Sequence, residues 1–335
     1  MIVMTIIVPC YNVEKYLNKT LKSLDFEYFS NKLQVLIVDD GSVDSTLDIA
    51  QKYVDKSPEI FRVISKTNGG HGSTINTGLQ YAEGKYIRIL DGDDWVSSDQ
   101  LNKLLHFIEK NNTNVDMIFN SYRSVNIDTQ KEIYFPLPSN VEENRVYNSL
   151  ELHKNIKRFD FALTNCVLKT EILKTINLTL LEKTFYVDNE YIIKAVSQVN
   201  NAIFLNFDIY RYLIGNENQS ISKLNLLKNA DHMTRVIKAC LIFYNNSSFD
   251  SVKMKFCKSS IITLVNTHNV LLLVSNPDKK SGREKAEELK KLLVKDDFYK
   301  FVRFKYAVLK LMNLVCINDK SFAFMNSIRK RFFRV

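Results

Sequence analysis

The residues best suited to do chemistry are three aspartates within four positions, Asp91-Gly92-Asp93-Asp94. They directly follow residues 86–90, a short, β-branched apolar run bounded by glycines, which predicts a buried strand. Because like charges at a strand end repel one another, the cluster favours a bound Mg²⁺ or Mn²⁺, hard cations that bridge carboxylates to substrate phosphates. The alternative is an Asp-rich turn that caps the helix beginning near Ser97.

Three further polar clusters also follow predicted strands. Apolar runs at residues 5–8, 33–38 and 61–64 lead into Pro9-Cys10-Tyr11, Asp39-Asp40 and the glycine-containing stretch 68–72. Helical patterns separate these runs, so the simplest topology is α/β, with a parallel sheet and right-handed crossovers. Ligands bind at the carboxyl ends of such strands, and the four clusters together indicate one binding site at that edge.

The rest of the chain changes character as it proceeds. Residues 98–110 and a segment led by residues 185–190 predict helices, residues 116–122 and 202–212 predict strands, and residues 126–184 are less regular. From about residue 224 the pattern is helical, with a break at Ser275-Asn276-Pro277. We therefore expect a catalytic domain at residues 1–223 and an all-helical region at residues 224–335.

Missing motifs exclude several common kinds of site. No GxGxxG or GxxxxGK[ST] occurs, which excludes a dinucleotide fingerprint and a P-loop. The five cysteines form no CxxC pair, which argues against structural zinc and fits reduced thiols in the cytoplasm. The first residues lack the basic region of a signal peptide. The apolar stretch 261–274 is interrupted by Asn266-Thr267-His268-Asn269, so we expect a buried helix there instead of a membrane span.

The net charge of +9 comes almost entirely from the C-terminal end. Residues 300–335 contain nine basic residues and one acidic residue, Asp319, interleaved with aromatic residues. This pattern is typical of a helix that lies on an anionic membrane face. No nucleic-acid-binding motif accompanies it, so we expect no nucleic-acid partner. A solvated helical face is the simpler alternative.

The ordered motifs make the chain resemble the family-2 glycosyltransferases of GT-A fold over residues 4–222. The segments that carry the resemblance are Ile7-Val8-Pro9-Cys10-Tyr11-Asn12, Val38-Asp39-Asp40-Gly41-Ser42, Asn68-x-Gly70 through Asn76-x-Gly78, and Asp91-Gly92-Asp93-Asp94. The resemblance implies a Rossmann-like, mostly parallel sheet flanked by helices. It also implies inverting transfer of a sugar from a nucleotide-diphosphate donor, dependent on Mg²⁺ or Mn²⁺.

The resemblance assigns roles to individual residues. Four residues would line the base and ribose pocket: Pro9, Tyr11, Asp40 and Asn68. Among them, Tyr11 would pack against the base and Asp40 would accept a hydrogen bond from it. Asp91 and Asp93 would form the DxD motif, with Asp93 the direct metal ligand and Asp91 near the ribose or the metal. Asp94 would support the loop or face the donor sugar.

A second catalytic element of the family is an acidic pair that opens a helix, and Val187-Asp188 occupies that place. Asp188 would be the general base that removes the acceptor hydroxyl proton on the face opposite the leaving diphosphate. A helix N-cap is the alternative role. Tyr210-Arg211-Tyr212 with residues 219–222 resembles the post-catalytic segment that closes over the donor. Three positions lack a charge that is common in the family: Ile75, Val187 and Asn216.

The sequence therefore predicts a cytoplasmic glycosyltransferase that acts on a nucleotide sugar, most simply a UDP-sugar. The acceptor would be a hydroxyl of a glycan, a lipid-linked sugar or a cell-surface polymer. The basic C-terminal end would contact the inner face of the plasma membrane, and the helical region could form a homo-oligomer. Two alternatives stay open: a nucleotide-sugar-binding protein without turnover, and a nucleotidyltransferase. The latter calls for Lys or Arg in the glycine loop, and residues 68–76 contain neither.

Overall fold

Ten strands form one mixed sheet in the computed structural model, which describes residues 2–111, 113–156, 161–215 and 222–317. The strands are β1 (Met4–Cys10), β2 (Leu33–Asp39), β3 (Phe61–Ser65), β4 (Tyr86–Ile89), β5 (Trp95–Val96), β6 (Met117–Asn126), β7 (Glu132–Phe135), β8 (Val146–Asn148), β9 (Cys166–Lys169) and β10 (Asn201–Ile214). Their order along the main path is β3-β2-β1-β4-β9-β6-β10-β5, with β7 beside β6 and β8 beside β10.

The parallel part of the sheet is β3-β2-β1-β4. All seven residues of β1 are buried, as are six of the seven in β2, which is why these strands are continuous apolar runs. Beyond β4 the sheet becomes mixed, because β9 lies antiparallel between β4 and β6, whereas β10 is parallel to β6. The α/β architecture predicted from the sequence is confirmed.

Twelve α-helices occur in the described residues: α1 (Glu14–Lys22), α2 (Thr46–Lys56), α3 (His71–Tyr81), α4 (Ser98–Lys110), α5 (Ser149–Asn155), α6 (Thr170–Thr175), α7 (Val187–Val196), α8 (Lys223–Lys228), α9 (Ala230–Asn246), α10 (Ser251–Val270), α11 (Lys279–Lys295) and α12 (Arg303–Leu314). The chain divides into two compact units. The first comprises Met1–Glu217 and Ser248–Phe256, and the second Asn218–Ser247 and Cys257–Val335. The described part of the second unit is helical, as expected; a domain boundary near residue 224 stays a prediction.

Alternate residues of β1 face two different apolar clusters. Ile6 and Val8 pack in a cluster with residues of α1 and α4. Ile7 points the other way, into a cluster with residues of α3 and α7. This alternation follows from the pleat of a strand. As a result α3 and α7 lie on the same face of the sheet, and both begin near its carboxyl-terminal edge.

One helical stretch is long and apolar enough to cross a bilayer, judged by length and composition among the described residues. It is Ser251–Ser275, in which α10 continues into a π-helical turn at Leu271–Ser275. The window that meets the criterion is 56% buried within the protein. The helix predicted at residues 261–274 is therefore present.

Candidate active site

A cavity of about 370 Å³ opens at the carboxyl ends of β1 and β2, beside the loop that follows β3. Its lining comes from three segments: Pro9, Cys10, Tyr11 and Asp40 from the strand ends; Asn68, Gly70, His71 and Thr74 from the glycine loop and α3; and Lys183, Thr184 and Phe185 from the segment before α7. The four residues predicted to line the nucleoside pocket are thus brought together. Lys183 to Phe185 were not expected there.

Asp40 organises the glycine loop. Its carboxylate is 2% exposed and accepts hydrogen bonds from the backbone amides of Gly69 (2.9 Å) and Gly70 (2.7 Å). Lys66 Nζ lies 2.8 Å from the same carboxylate and balances its charge. A carboxylate has about four acceptor positions, and three are used here. Its predicted hydrogen bond to the base stays a prediction, with one acceptor position left for it.

The loops after β1 and β2 hold each other in place beside Tyr11. Asn12 adopts a left-handed conformation (φ 53°), and its side-chain oxygen accepts a hydrogen bond from the amide of Val43 at 2.9 Å. The Asn12 amide in turn donates to Ser42 Oγ at 3.0 Å. The preceding Tyr11 side chain is 51% exposed at the cavity. Tyr11 therefore lies at the rim of the cavity, with about half of its surface accessible.

The segment before α7 packs tightly on the glycine loop. The amide of Lys183 donates to Gly69 O at 2.5 Å, and Ser73 Oγ donates to Glu182 Oε1 at 3.0 Å. Gly70 has φ +82°, and a Cβ there would meet the Lys183 backbone at 3.2 Å. A Cβ on Gly72 would overlap the carbonyl oxygen of Leu181. The far wall of the cavity therefore depends on glycine at these positions.

We expect Gly72→Ala to lower the free energy of unfolding by about 1–3 kcal/mol, because the added methyl group must displace a backbone carbonyl. The measurement is thermal unfolding followed by circular dichroism. Gln80→Ala, at an exposed position of the same helix, is the matched control and should leave the transition unchanged. A Gly72→Ala protein as stable as the control would contradict the tight packing described above.

Asp94 supports the acidic loop, residues 91–94, from inside the protein. Its side chain is fully buried, and it accepts hydrogen bonds from the Tyr210 hydroxyl (2.6 Å) and the Leu213 amide (2.7 Å). Thr20 Oγ1 donates to the Asp94 carbonyl at 2.6 Å. Of the two roles considered from the sequence, loop support is the one observed.

Asp91 and Asp93 are the two carboxylates of the cluster that are not fully buried. Burial, and then the charge of Asp91, raise the pKa of Asp93 to about 6. The side chain of Asp91 is about one-third exposed, and its Oδ1 lies 3.0 Å from Nε2 of His71. Burial opposes the charged form of His71, but the hydrogen bond to Asp91 and the charges of Asp91, Asp188 and Asp93 prevail and raise its pKa.

His71 is a site residue that the sequence reasoning missed. It lines the cavity and contacts Asp91, so it joins the nucleoside pocket to the acidic loop. The available signal was its position directly after the Gly69-Gly70 pair, at the first residue of a helix. Cys10, also in the lining, is buried, and burial raises the pKa of its thiol. A buried thiol with a raised pKa is a packing group and a poor nucleophile.

The two carboxylates suit a magnesium or manganese ion. Among the described residues, no group of three or more His, Cys, Asp or Glu side chains forms a metal centre. Mg²⁺ in nucleotide enzymes commonly takes only one or two carboxylates together with substrate phosphates. The raised pKa of Asp93 marks a site where a cation would relieve repulsion and burial cost. Asp91 and Asp93 therefore fit such an ion by donor chemistry.

Asp188 is exposed in the first turn of α7. The N-cap is Tyr186, which has a left-handed conformation (φ 67°), so the N-cap role considered for Asp188 is wrong. The charge of Asp188 contributes, with those of Asp91 and Asp93, to the raised pKa values of His71 and Tyr212. Asp188 therefore acts electrostatically on the same region as the acidic loop.

Two of the three positions that lack a charge common in the family lie in the apolar core of this protein. Ile75 is fully buried, Val187 is 1% exposed, and both belong to the apolar cluster shared by α3 and α7. The third, Asn216, lies outside the described residues, as do residues 219–221 of the proposed post-catalytic segment. Arg211, from the same segment, binds Asp208 Oδ1 at 2.7 Å.

Comparison with known proteins places this site in a family. EpsJ of Bacillus subtilis, described as an uncharacterized glycosyltransferase, is 28% identical over 280 residues, covering 81% of this chain and 77% of EpsJ. TarS of Staphylococcus aureus, a poly(ribitol-phosphate) β-N-acetylglucosaminyltransferase, is 35% identical over 115 residues, which are 34% of this chain and 20% of TarS.

A shared fold extends over nearly the whole chain. The crystal structure of TarS 1–349 in complex with UDP-GlcNAc matches with a TM-score of 0.63 at 20% identity, covering 93% of this chain and 91% of that chain. The family model described as Glycosyl transferase family 2 matches residues 5–176, about half of the chain, including β1 to β4 and the acidic loop. The chain therefore belongs to glycosyltransferase family 2, and it is a glycosyltransferase of GT-A fold.

Proposed function

We propose that this protein transfers a sugar, with inversion and with a divalent cation, from a UDP-sugar to a hydroxyl of a glycan, lipid-linked or cell-surface polymer acceptor. One observation carries the proposal: His71 lines the nucleoside-sized cavity and also contacts Asp91 of the acidic loop. A nucleotide whose base occupies the cavity would thus present its diphosphate to Asp91 and Asp93. The TarS complexes with UDP and UDP-GlcNAc support the donor class.

In this proposal the nucleoside binds between the strand ends and the glycine loop. Pro9 and the half-exposed Tyr11 ring contact the base, and Asn68 and Asp40 offer polar groups to base and ribose. Asp40 also keeps the loop in shape through the Gly69 and Gly70 amides. The protein's own groups thus fix the glycine loop, which lowers the entropic cost of ordering it around a donor.

Asp93, with Asp91, would hold Mg²⁺ or Mn²⁺, which when bound offsets charge on the departing diphosphate. His71 orients the Asp91 carboxylate through its ring nitrogen. A hydrogen bond from a neighbouring group that fixes a metal-binding carboxylate is a common supporting arrangement.

Asp188 is the proposed general base. As the acceptor oxygen attacks the anomeric carbon, its proton passes to the Asp188 carboxylate, and the bond to the nucleoside diphosphate breaks on the opposite face. The exposed position of Asp188 gives an acceptor access to it. The N-terminus of α7 stabilises its negative charge before the transfer.

The cellular context is proposed from the descriptions of two relatives. GgaB of Bacillus subtilis, described as a minor teichoic acid biosynthesis protein, is 36% identical over 115 residues, and with TarS it supports a cell-surface polymer as the acceptor. Such an acceptor is consistent with an enzyme in the cytoplasm, in contact with the inner face of the plasma membrane. Part of the basic C-terminal end, residues 318–335, lies outside the described residues. A homo-oligomer stays a prediction.

The decisive assay measures nucleoside diphosphate release from a panel of nucleotide sugars with Mn²⁺, with and without glycan and lipid-linked acceptors. We expect acceptor-dependent UDP release. Donor binding without release would instead support the nucleotide-sugar-binding protein without turnover. Pyrophosphate release from a nucleoside triphosphate would support the nucleotidyltransferase. Either outcome overturns the proposed transfer.

A further inference from the structure

One face of helix α12 carries apolar side chains that the described residues leave largely exposed. Its inner side consists of Val302, Tyr306, Leu309 and Asn313, each at most 3% exposed. The opposite side carries Phe304, Val308, Leu311 and Val315, which are 82%, 37%, 63% and 62% exposed. We call these four residues the α12 stripe.

The spacing of the α12 stripe makes it a continuous surface. Steps of four, three and four residues bring the side chains to one side of a helix, since each residue turns the helix by about 100°. Single exposed apolar residues are common on protein surfaces, but a row on one helix face indicates an interaction surface. The row is apolar on a helix whose other side is already buried, so packing among the described residues of the second unit does not account for it.

Cations border the α12 stripe on both sides. Arg303 and Lys305 are both exposed, and helical geometry places them on opposite flanks of Phe304. Residues 298–317 contain no acidic residue. Lys310, farther around the helix, pairs with Glu287 at 2.6 Å. The surface therefore combines an apolar centre with cationic edges.

From these observations we propose that the α12 stripe docks on an anionic lipid bilayer. A helix with this pattern lies in the interface plane, with its apolar side chains at the boundary between headgroups and acyl chains and its cations among anionic headgroups. A second copy of the chain fits less well, because pairing two such faces would bring like charges together. The proposal assigns a surface to the membrane contact proposed above and rests on that part of the proposed function, but it does not depend on the sugar-transfer chemistry.

The test is flotation of the full chain with phosphatidylcholine vesicles that do or do not contain phosphatidylglycerol. We expect binding only with phosphatidylglycerol, weakened by salt. The double variant Phe304→Glu/Leu311→Glu should bind about tenfold less or worse. Arg303→Gln alone should bind about fivefold less. The control Ile242→Glu/Val294→Glu changes two exposed apolar residues of the same unit outside the stripe and should bind like the wild type.

Circular dichroism establishes that all variants are folded, and sedimentation velocity reports self-association. Equal flotation of the stripe variant and the control would overturn the proposal, as would a wild-type chain that does not float. A concentration-dependent dimer that the stripe variant abolishes would assign the surface to a second copy and overturn it too. Flotation that appears only after removal of residues 318–335 would also overturn the proposal, because it would show that this segment covers the α12 stripe in the full chain.

Discussion

Asp188→Asn is expected to lower kcat by about 10²–10⁴-fold while leaving donor binding within a few fold of the wild type. The substitution preserves size and hydrogen-bonding reach but removes the group that takes the acceptor proton. Binding of the nucleotide sugar should persist because Asp188 is not among the residues that line the cavity. The measurements are steady-state rates with a glycan acceptor and calorimetric titration with UDP.

The control for this experiment is Glu171→Gln. Like Asp188, Glu171 is an exposed acidic residue in the first turn of a helix, α6, and lies outside the cavity lining, but it pairs with Lys169. It should retain wild-type rates. Near-normal kcat in Asp188→Asn would show that another group removes the proton. Equal losses in both variants would point to a general effect of charge.

Asp93→Asn should reduce kcat/KM by about 10²–10³-fold and abolish the response to added Mn²⁺. The reason is that the amide retains the shape but loses the negative charge that attracts the cation. Chelation should likewise abolish the wild-type rate, and Mn²⁺ or Mg²⁺ should restore it.

A second readout separates metal binding from turnover. Calorimetric titration of Mn²⁺ in the presence of UDP should give binding for the wild type and for Asp99→Asn, an exposed aspartate in the first turn of α4, but not for Asp93→Asn. Wild-type activity that survives chelation would refute the metal requirement. Unimpaired Mn²⁺ binding by Asp93→Asn would show that a residue other than Asp93 binds the metal.

The parallel half of the sheet could be predicted because its signals are local. β1 and β2 are buried apolar runs that end in polar residues, and parallel strands bring such ends to one edge. Residues 126–184 gave no comparable signal. They contain β7, β8 and β9, each of at most four residues, and β9 pairs antiparallel with β4 and β6 through contacts distant in sequence.

In the site, too, residues within sequence motifs could be predicted, whereas contacts between residues far apart in sequence could not. Motif order identified Tyr11, Asp40 and Asn68, which are brought to one cavity. The far wall could not be predicted, because Ser73 and Glu182, which join it to α3, are 109 residues apart in sequence. Likewise the hydrogen bond between His71 and Asp91 depends on how the glycine loop packs against the acidic loop. The periodicity of the sequence does not predict that packing.

The hydrogen bonds of Tyr210 have a consequence for protein engineering. The Tyr210 hydroxyl accepts from the Asp91 amide and donates to Asp94, which also accepts from the Leu213 amide. An exchange of acceptor-side segments with another family member would therefore break this network if the crossover fell within β10. A chimera should take residues 91–94 and the strand through Ile214 from one parent, and change parents only beyond that point.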